Sequence, residues 1–198
     1  MALRRIKERK ERRKKVVMSL VISFLMVASA FGVYLGSQQD NIRDYGISFT
    51  IDYEAQVYRA RIDGQRLSFY YLPSSVSTIP VDQDAIPLIR ESLATIVTFD
   101  PGLDEFNLQV ADLLRFDLAE TLNKPLINAV AKPSPLYPSL PVMTCDNATT
   151  QMPVISIEAD AQPRIFREDN CVRILANATG MLEIRDRFLY EYLGVFDT

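Results

Sequence analysis

From Val16 to Gly36 the chain runs VVMSLVISFLMVASAFGVYLG without a charge. At about 1.5 Å of helical rise per residue this stretch is about 31 Å long, the thickness of a bilayer core, and it predicts an N-terminal transmembrane helix over 16–36. The polar run SQQDNIRD over 37–44 reads as a tether, and 45–198 alternates short apolar stretches with polar breaks in the manner of one α/β domain. Asp63-Gly64 is a two-residue turn signal. Pairing Ile62 with Gln65 sets Ala60 opposite Leu67 and Tyr58 opposite Phe69 on one apolar face, and leaves Arg59, Arg61, Arg66 and Ser68 on the other. This predicts an amphipathic hairpin whose arginines are either a solvated face or a binding patch.

Beyond the loop at Pro73–Pro80, Asp84 to Ser92 predicts a short helix with Pro87 in its first turn. Leu93 to Phe99 (LATIVTF) is a continuous apolar run and predicts a central strand buried on both faces. Asp104 is placed to cap a helix carrying Phe106, Val110, Leu113, Leu114, Leu118 and Leu122 at helical spacing. Leu126 to Ala131 predicts another buried strand, followed by the proline-rich connector KPSPLYPSLP. Met152 to Ala159 and Arg164 to Leu175 predict two further strands. A helix from Gly180 closes the chain, with Met181, Ile184, Phe188 and Tyr192 on one stripe.

Charge adds a direction to this plan. Residues 1–15 carry nine Lys or Arg against Glu8 and Glu11, a net of +7, while the remaining 13 basic and 23 acidic residues give −10. The basic tail reads as cytoplasmic and the domain as extracytoplasmic, which makes a single-pass cell-membrane protein touching lipid through 16–36. Ala28-Ser29-Ala30 also fits a signal-cleavage pattern, which would release the domain. The outer domain is acidic, so nucleic acid is not an expected partner.

Candidate chemistry is sparse. The chain has no histidine, which excludes Ser-His-Asp and Cys-His nucleophilic sites and removes the commonest metal ligand. It has no phosphate-cradling glycine pattern, and no metal or cofactor is expected. Cys145 and Cys171 are the two cysteines, and outside the cytosol such a pair is usually oxidised. A structural disulfide between them would stabilise by about 3.5 kcal/mol on the chain-entropy model; the sharper reading is a reversible redox pair. Asp100, Asp104 and Glu105 gather at the carboxyl end of the expected central strand, where they would hold a cation, act as acid and base, or cap the next helix. Asn147-Ala148-Thr149 and Asn177-Ala178-Thr179 match the N-glycosylation acceptor pattern, at a frequency chance also supplies.

The carboxyl-terminal half, roughly 90 to 195, resembles the second half of the thioredoxin fold: Pro153 opens an apolar strand, a tight turn and an antiparallel partner follow, and an amphipathic helix closes the unit. The resemblance implies a cis Met152-Pro153 bond, with the backbone of Met152 and Pro153 free to pair with an extended peptide. The chain departs from that family where its C-x-x-C would stand, since Asp100-Pro101-Gly102-Leu103-Asp104-Glu105-Phe106-Asn107 contains no cysteine. The basic-tailed anchor and the sequons are also similar to uncharacterised archaeal single-pass membrane proteins. The expected function is a membrane-anchored, thioredoxin-like, non-catalytic module that binds a protein or supports a complex. Its alternatives are an atypical thiol-disulfide oxidoreductase using Cys145 and Cys171, and a carbohydrate- or cation-dependent module built on the acidic loop.

Overall fold

The computed structural model describes residues 18–29 and 41–196, which fall into two separate units, the first ending at Asp40. Residues 18–29 form a helix. Among the described residues no helix is long and apolar enough to cross a membrane. The transmembrane helix expected over 16–36 is corrected on that finding. The rest of that stretch and the tail over 1–15 lie outside the described residues.

The second unit opens with an antiparallel meander in the order β1 (Asn41–Asp44), β2 (Ile47–Asp52), β3 (Val57–Ile62) and β4 (Gln65–Phe69). The expected hairpin is its second half, with Ile62 opposite Gln65, Ala60 opposite Leu67 and Tyr58 opposite Phe69. Positive φ at both Asp63 (49°) and Gly64 (83°) makes this the turn whose twist matches the flanking strands. Tyr45 (46°) and Gly46 (76°) repeat it between β1 and β2. The expected tether therefore ends sooner than its polarity suggested, because NIRD is an edge strand with polar residues on its outer side.

A short turn of helix, α1 (Pro73–Val76), and α2 (Ala85–Glu91) lead into the five-stranded sheet. In chain order its elements are β5 (Thr95–Phe99), α3 (Glu105–Thr121), β6 (Leu126–Asn128), β7 (Val154–Ala159), β8 (Arg164–Glu168), β9 (Cys171–Ala176) and α4 (Ala178–Tyr192). Across the sheet the order is β6-β5-β7-β9-β8. The first four run parallel, and β8 pairs antiparallel with β9 at the edge. Every residue of β5 is buried, as expected of a strand covered on both faces.

Two features differ from the sequence expectation. The single strand expected over 164–175 is a hairpin folded at Asp169, whose φ is +53°. That turn places β9, not an antiparallel neighbour, beside β7, so β7 has parallel partners on both sides. The antiparallel partner implied by the thioredoxin resemblance is absent from β7, and the Met152-Pro153 bond is trans, as are all the described peptide bonds.

The closing helix is also more deeply placed than its stripe suggested. Met181, Ile184 and Phe188 enter the main core with Val97, Phe99, Ile155, Ile157, Val172 and Ile174, while Leu114, Leu118 and Leu122 of the α3 region fill the same core. On its other side Tyr190 stacks on Phe69 at 4.3 Å between ring centroids and meets Phe49 edge-on at 6.3 Å. The meander is thereby joined to the α/β half through α4. Buried Leu and Phe side chains contribute about 1.5–3 kcal/mol each, and both halves draw on this one helix.

Inside it, Arg185, Asp186 and Arg187 are consecutive and buried. Asp186 accepts the N–H groups of Tyr70 and Tyr71, each at 2.7 Å, and a hydrogen bond from Arg185 at 2.5 Å. Arg185 also donates to Asp117 of α3 (2.9 Å) and to the Ser68 carbonyl of β4 (2.8 Å). These bonds satisfy a chain leaving β4 where no further strand receives it. Burial raises the Asp186 carboxyl from 3.8 to about 6, against the opposing pull of Arg185.

Candidate functional site

The five-stranded sheet has a second face, and its residues fall in rows set by the register. Ile96, Val154 and Cys171 stand side by side on β5, β7 and β9; the next row is Thr98, Ser156 and Arg173. The chemistry of the two rows divides the face.

The apolar row is covered by the connector after β6. Ile96, Ala129, Val154 and Cys171 form a second buried cluster against Ile127, Met143, Cys145, Ala148 and Met152. Cys145 and Cys171 are joined in a disulfide with a Cα–Cα separation of 5.3 Å, and Cys171 is 1% exposed. Cys145 begins a single 3-10 turn, Cys145–Asn147, closed by a capping box in which the Thr144 hydroxyl meets backbone N–H and the Asn147 side chain accepts the Thr144 N–H at 2.8 Å. The disulfide thus nails an irregular, proline-rich segment onto the sheet.

The polar row lies open beyond the connector, at the carboxyl ends of β5 and β7. There Thr98, Asp100, Cys145, Ser156, Glu158 and Arg173 line a cleft of about 440 Å³. β5 leads by way of α3 to β6 on one side and neighbours β7 on the other, and crevices at such a reversal are where α/β sheets bind ligands. Arg173 is the cation among the residues lining the cleft. Arg173 bonds Glu158 at 2.5 Å and Glu168 at 2.6 Å, and its proton is held more tightly than usual, chiefly by the Glu168 hydrogen bond. Ser156 donates to Glu158 at 2.7 Å, and Thr98 donates to the Met143 carbonyl at 2.7 Å. A polar ligand would enter by exchanging these bonds for its own.

The acidic loop does not converge. Asp100 pairs with Lys132 at 2.8 Å and accepts the Gly102 N–H; the Lys132 hydrogen bond comes first in holding its carboxyl below the usual range. Asp104 caps α3 by accepting the Asn107 N–H at 3.0 Å, which lowers its carboxyl in turn. Glu105 is the first residue of α3 and exposed. Among the described residues no group of three or more Cys, Asp or Glu is placed to hold a metal ion.

The backbone that the resemblance offered to a peptide is already occupied: Met152 exchanges hydrogen bonds with Thr149 in both directions, and the Pro153 carbonyl accepts the Ile96 N–H at 3.0 Å. Asn147 and Asn177 are exposed, and each spends its side-chain oxygen on a local cap, Asn177 accepting the Gly180 N–H at 2.8 Å. The sequence sets Arg173 two residues from Cys171 on the same strand face but does not identify it as the cation lining the cleft, and it does not single out Lys132, the partner of the lining residue Asp100. Alternation along Cys171–Ala176 is the signal that places Arg173 on the face of Cys171; its pairing with Glu158 and Glu168 depends on strand neighbours the sequence does not show.

The chain matches no protein-family model, no curated protein and no solved structure.

Proposed function

We propose that residues 41–196 form a non-catalytic binding domain that works in an oxidising compartment outside the cytosol and engages a protein partner. The observation that carries this reading is the Cys145–Cys171 disulfide, with Cys171 buried in an apolar cluster and the bond fastening the connector to the sheet. A bridge that closes the second face of a core is a fastening and not a reagent, and disulfides persist where thiols are oxidised. The outward face of the meander supplies the exposed, polar surface such a domain needs.

A second reading has one observation in its favour. Cys145 is one of the residues that line the polar cleft. On that reading the pair exchanges electrons with a thiol substrate.

The reduction potential of the pair decides between them. A fastening disulfide is expected below roughly −300 mV, whereas working thiol-disulfide pairs lie well above it, at about −270 to −120 mV. A value in the upper range, with thiol trapping showing a mixture of oxidised and reduced protein in cells, would overturn the binding reading in favour of redox chemistry.

A further inference from the structure

The outward face of the meander is ordered in rows by its register. Arg43, Ser48, Arg61 and Arg66 stand in one row across β1, β2, β3 and β4, and Asn41, Thr50, Arg59 and Ser68 stand in the next. Of these eight residues seven are exposed and Thr50 is half-buried. Residues 41–196 hold 13 basic and 21 acidic side chains, yet four of the 13 are gathered here. The one carboxylate carried by these strands on the same face, Asp52, is taken by Arg59 at 2.5 Å. Arg43, Arg61 and Arg66 make no ion pair among the described residues.

Arg61 and Arg66 are directly opposite each other. Like charges at opposed positions destabilise a strand pair, and aspartate, glutamate or threonine would serve solubility equally well. Two opposed arginines, a third in the same row and a fourth in the next concentrate positive charge on this face, where Arg61 also donates to the Gly64 carbonyl at 3.2 Å.

We propose that this face docks an extended acidic segment of a partner protein, an inference that rests on the binding-domain reading above. Three features favour a polypeptide. Arg59 and Arg61 are alternate residues of one strand, about 6.8 Å apart, and an extended segment repeats its same-side carboxylates at that interval, one of them sharing Arg59 with Asp52. The guanidinium fork matches a carboxylate in two parallel hydrogen bonds. The domain as a whole is negative, which repels dense polyanions such as nucleic acid and anionic lipid surfaces at long range, while a short segment is drawn to the local positive face.

The test uses the full chain and a fluorescent peptide of about eight residues with glutamate and threonine alternating, long enough to follow one strand. Anisotropy should show saturable binding that weakens about tenfold or more in Arg61→Ser/Arg66→Ser. It should also fall away near 1 M salt, where the Debye length is about 3 Å. A peptide of the same composition with its glutamates in one block should bind more weakly.

Equal binding by the double variant, or no binding at all, overturns the proposal. So does tighter binding to phosphatidylglycerol vesicles or to a single-stranded oligonucleotide than to the peptide, or self-association of the chain abolished by the same substitutions. The substituted residues are exposed and opposed, so the variant is expected to unfold at the same or higher denaturant concentration than the wild type, which separates lost docking from lost folding. The reduction potential of Cys145–Cys171 is measured independently. A low potential with no peptide binding leaves the binding domain standing and removes this face from it.

Discussion

Replacing Asp186 by asparagine tests which force governs the centre of the molecule. The carboxyl is fully buried, accepts two backbone N–H groups and touches Arg185 at 2.5 Å. Tyr71 and Tyr190 are near enough that its charge helps to raise their phenols, although burial is the larger cause for each. Arg185, the Arg185 hydrogen bond and the two backbone N–H groups all favour the carboxylate, yet desolvation outweighs them and raises the group from 3.8 to about 6. A folded value above the unfolded one means the native state binds the extra proton between the two. The stabilisation is therefore fully present below about pH 4 and lost as pH rises through about 6. A shift of about two units corresponds to about 3 kcal/mol. The asparagine amide does not titrate, so the stability difference, wild type minus Asp186→Asn, isolates the group from the other carboxylates. Urea denaturation of both proteins in steps from about pH 4 to about pH 7 should show that difference falling by about 2–3 kcal/mol. A difference that stays level or rises with pH would mean that pairing with Arg185 overcomes burial, and the account of this cluster would have its sign reversed.

Two smaller perturbations probe the joints on either side. Asp104→Ala removes the oxygen that accepts the Asn107 N–H at the start of α3, and should cost about 1 kcal/mol in denaturation experiments; Asp104→Asn should retain most of it. Tyr190→Phe keeps the ring against Phe69 but deletes the hydroxyl that donates to the Tyr71 carbonyl at 2.8 Å, and should cost about 1–2 kcal/mol with the meander's amide protons exchanging faster than those of β5.

The legible parts of the fold were those fixed by local chemistry. Asp63-Gly64 names its own turn, and the alternation of its flanks then dictates the register down to Tyr58 and Phe69. The run into Phe99 could only be a covered strand, and Asp104 stands where a helix needs an acceptor. What stayed hidden depended on partners distant in sequence. Tyr45-Gly46 forms the same turn as Asp63-Gly64, but tyrosine carries no turn signal and the strand before it is polar. The order of β7, β8 and β9 turns on a left-handed residue at Asp169 inside an apparently continuous run, and one such turn changes β7 from an antiparallel to a parallel neighbourhood. Around the cleft, sequence brought forward Asp100 and Cys145 and set Arg173 on the face of Cys171, but not the pairing of Arg173 with Glu158 or of Lys132 with Asp100.

The closing helix carries the most instructive difference. Met181, Leu182, Ile184, Phe188, Leu189, Tyr190, Tyr192 and Leu193 cover roughly two-thirds of its circumference at about 100° per residue, more than one core face requires. Such a helix must be covered on two sides, and the meander is the second cover. This also explains why three charged residues are consecutive in its middle. A helix between two sheets has no solvent face on which to place them, and an apolar replacement would leave the N–H groups of Tyr70 and Tyr71 and the carbonyl of Ser68 without partners. Arg185 and Asp186 therefore do for the meander what a further strand would have done. The fold holds its two halves together by hydrogen bonds and ring packing on one helix, while the side chains on the outward face of the meander make local contacts such as Arg59–Asp52 and Arg61–Gly64.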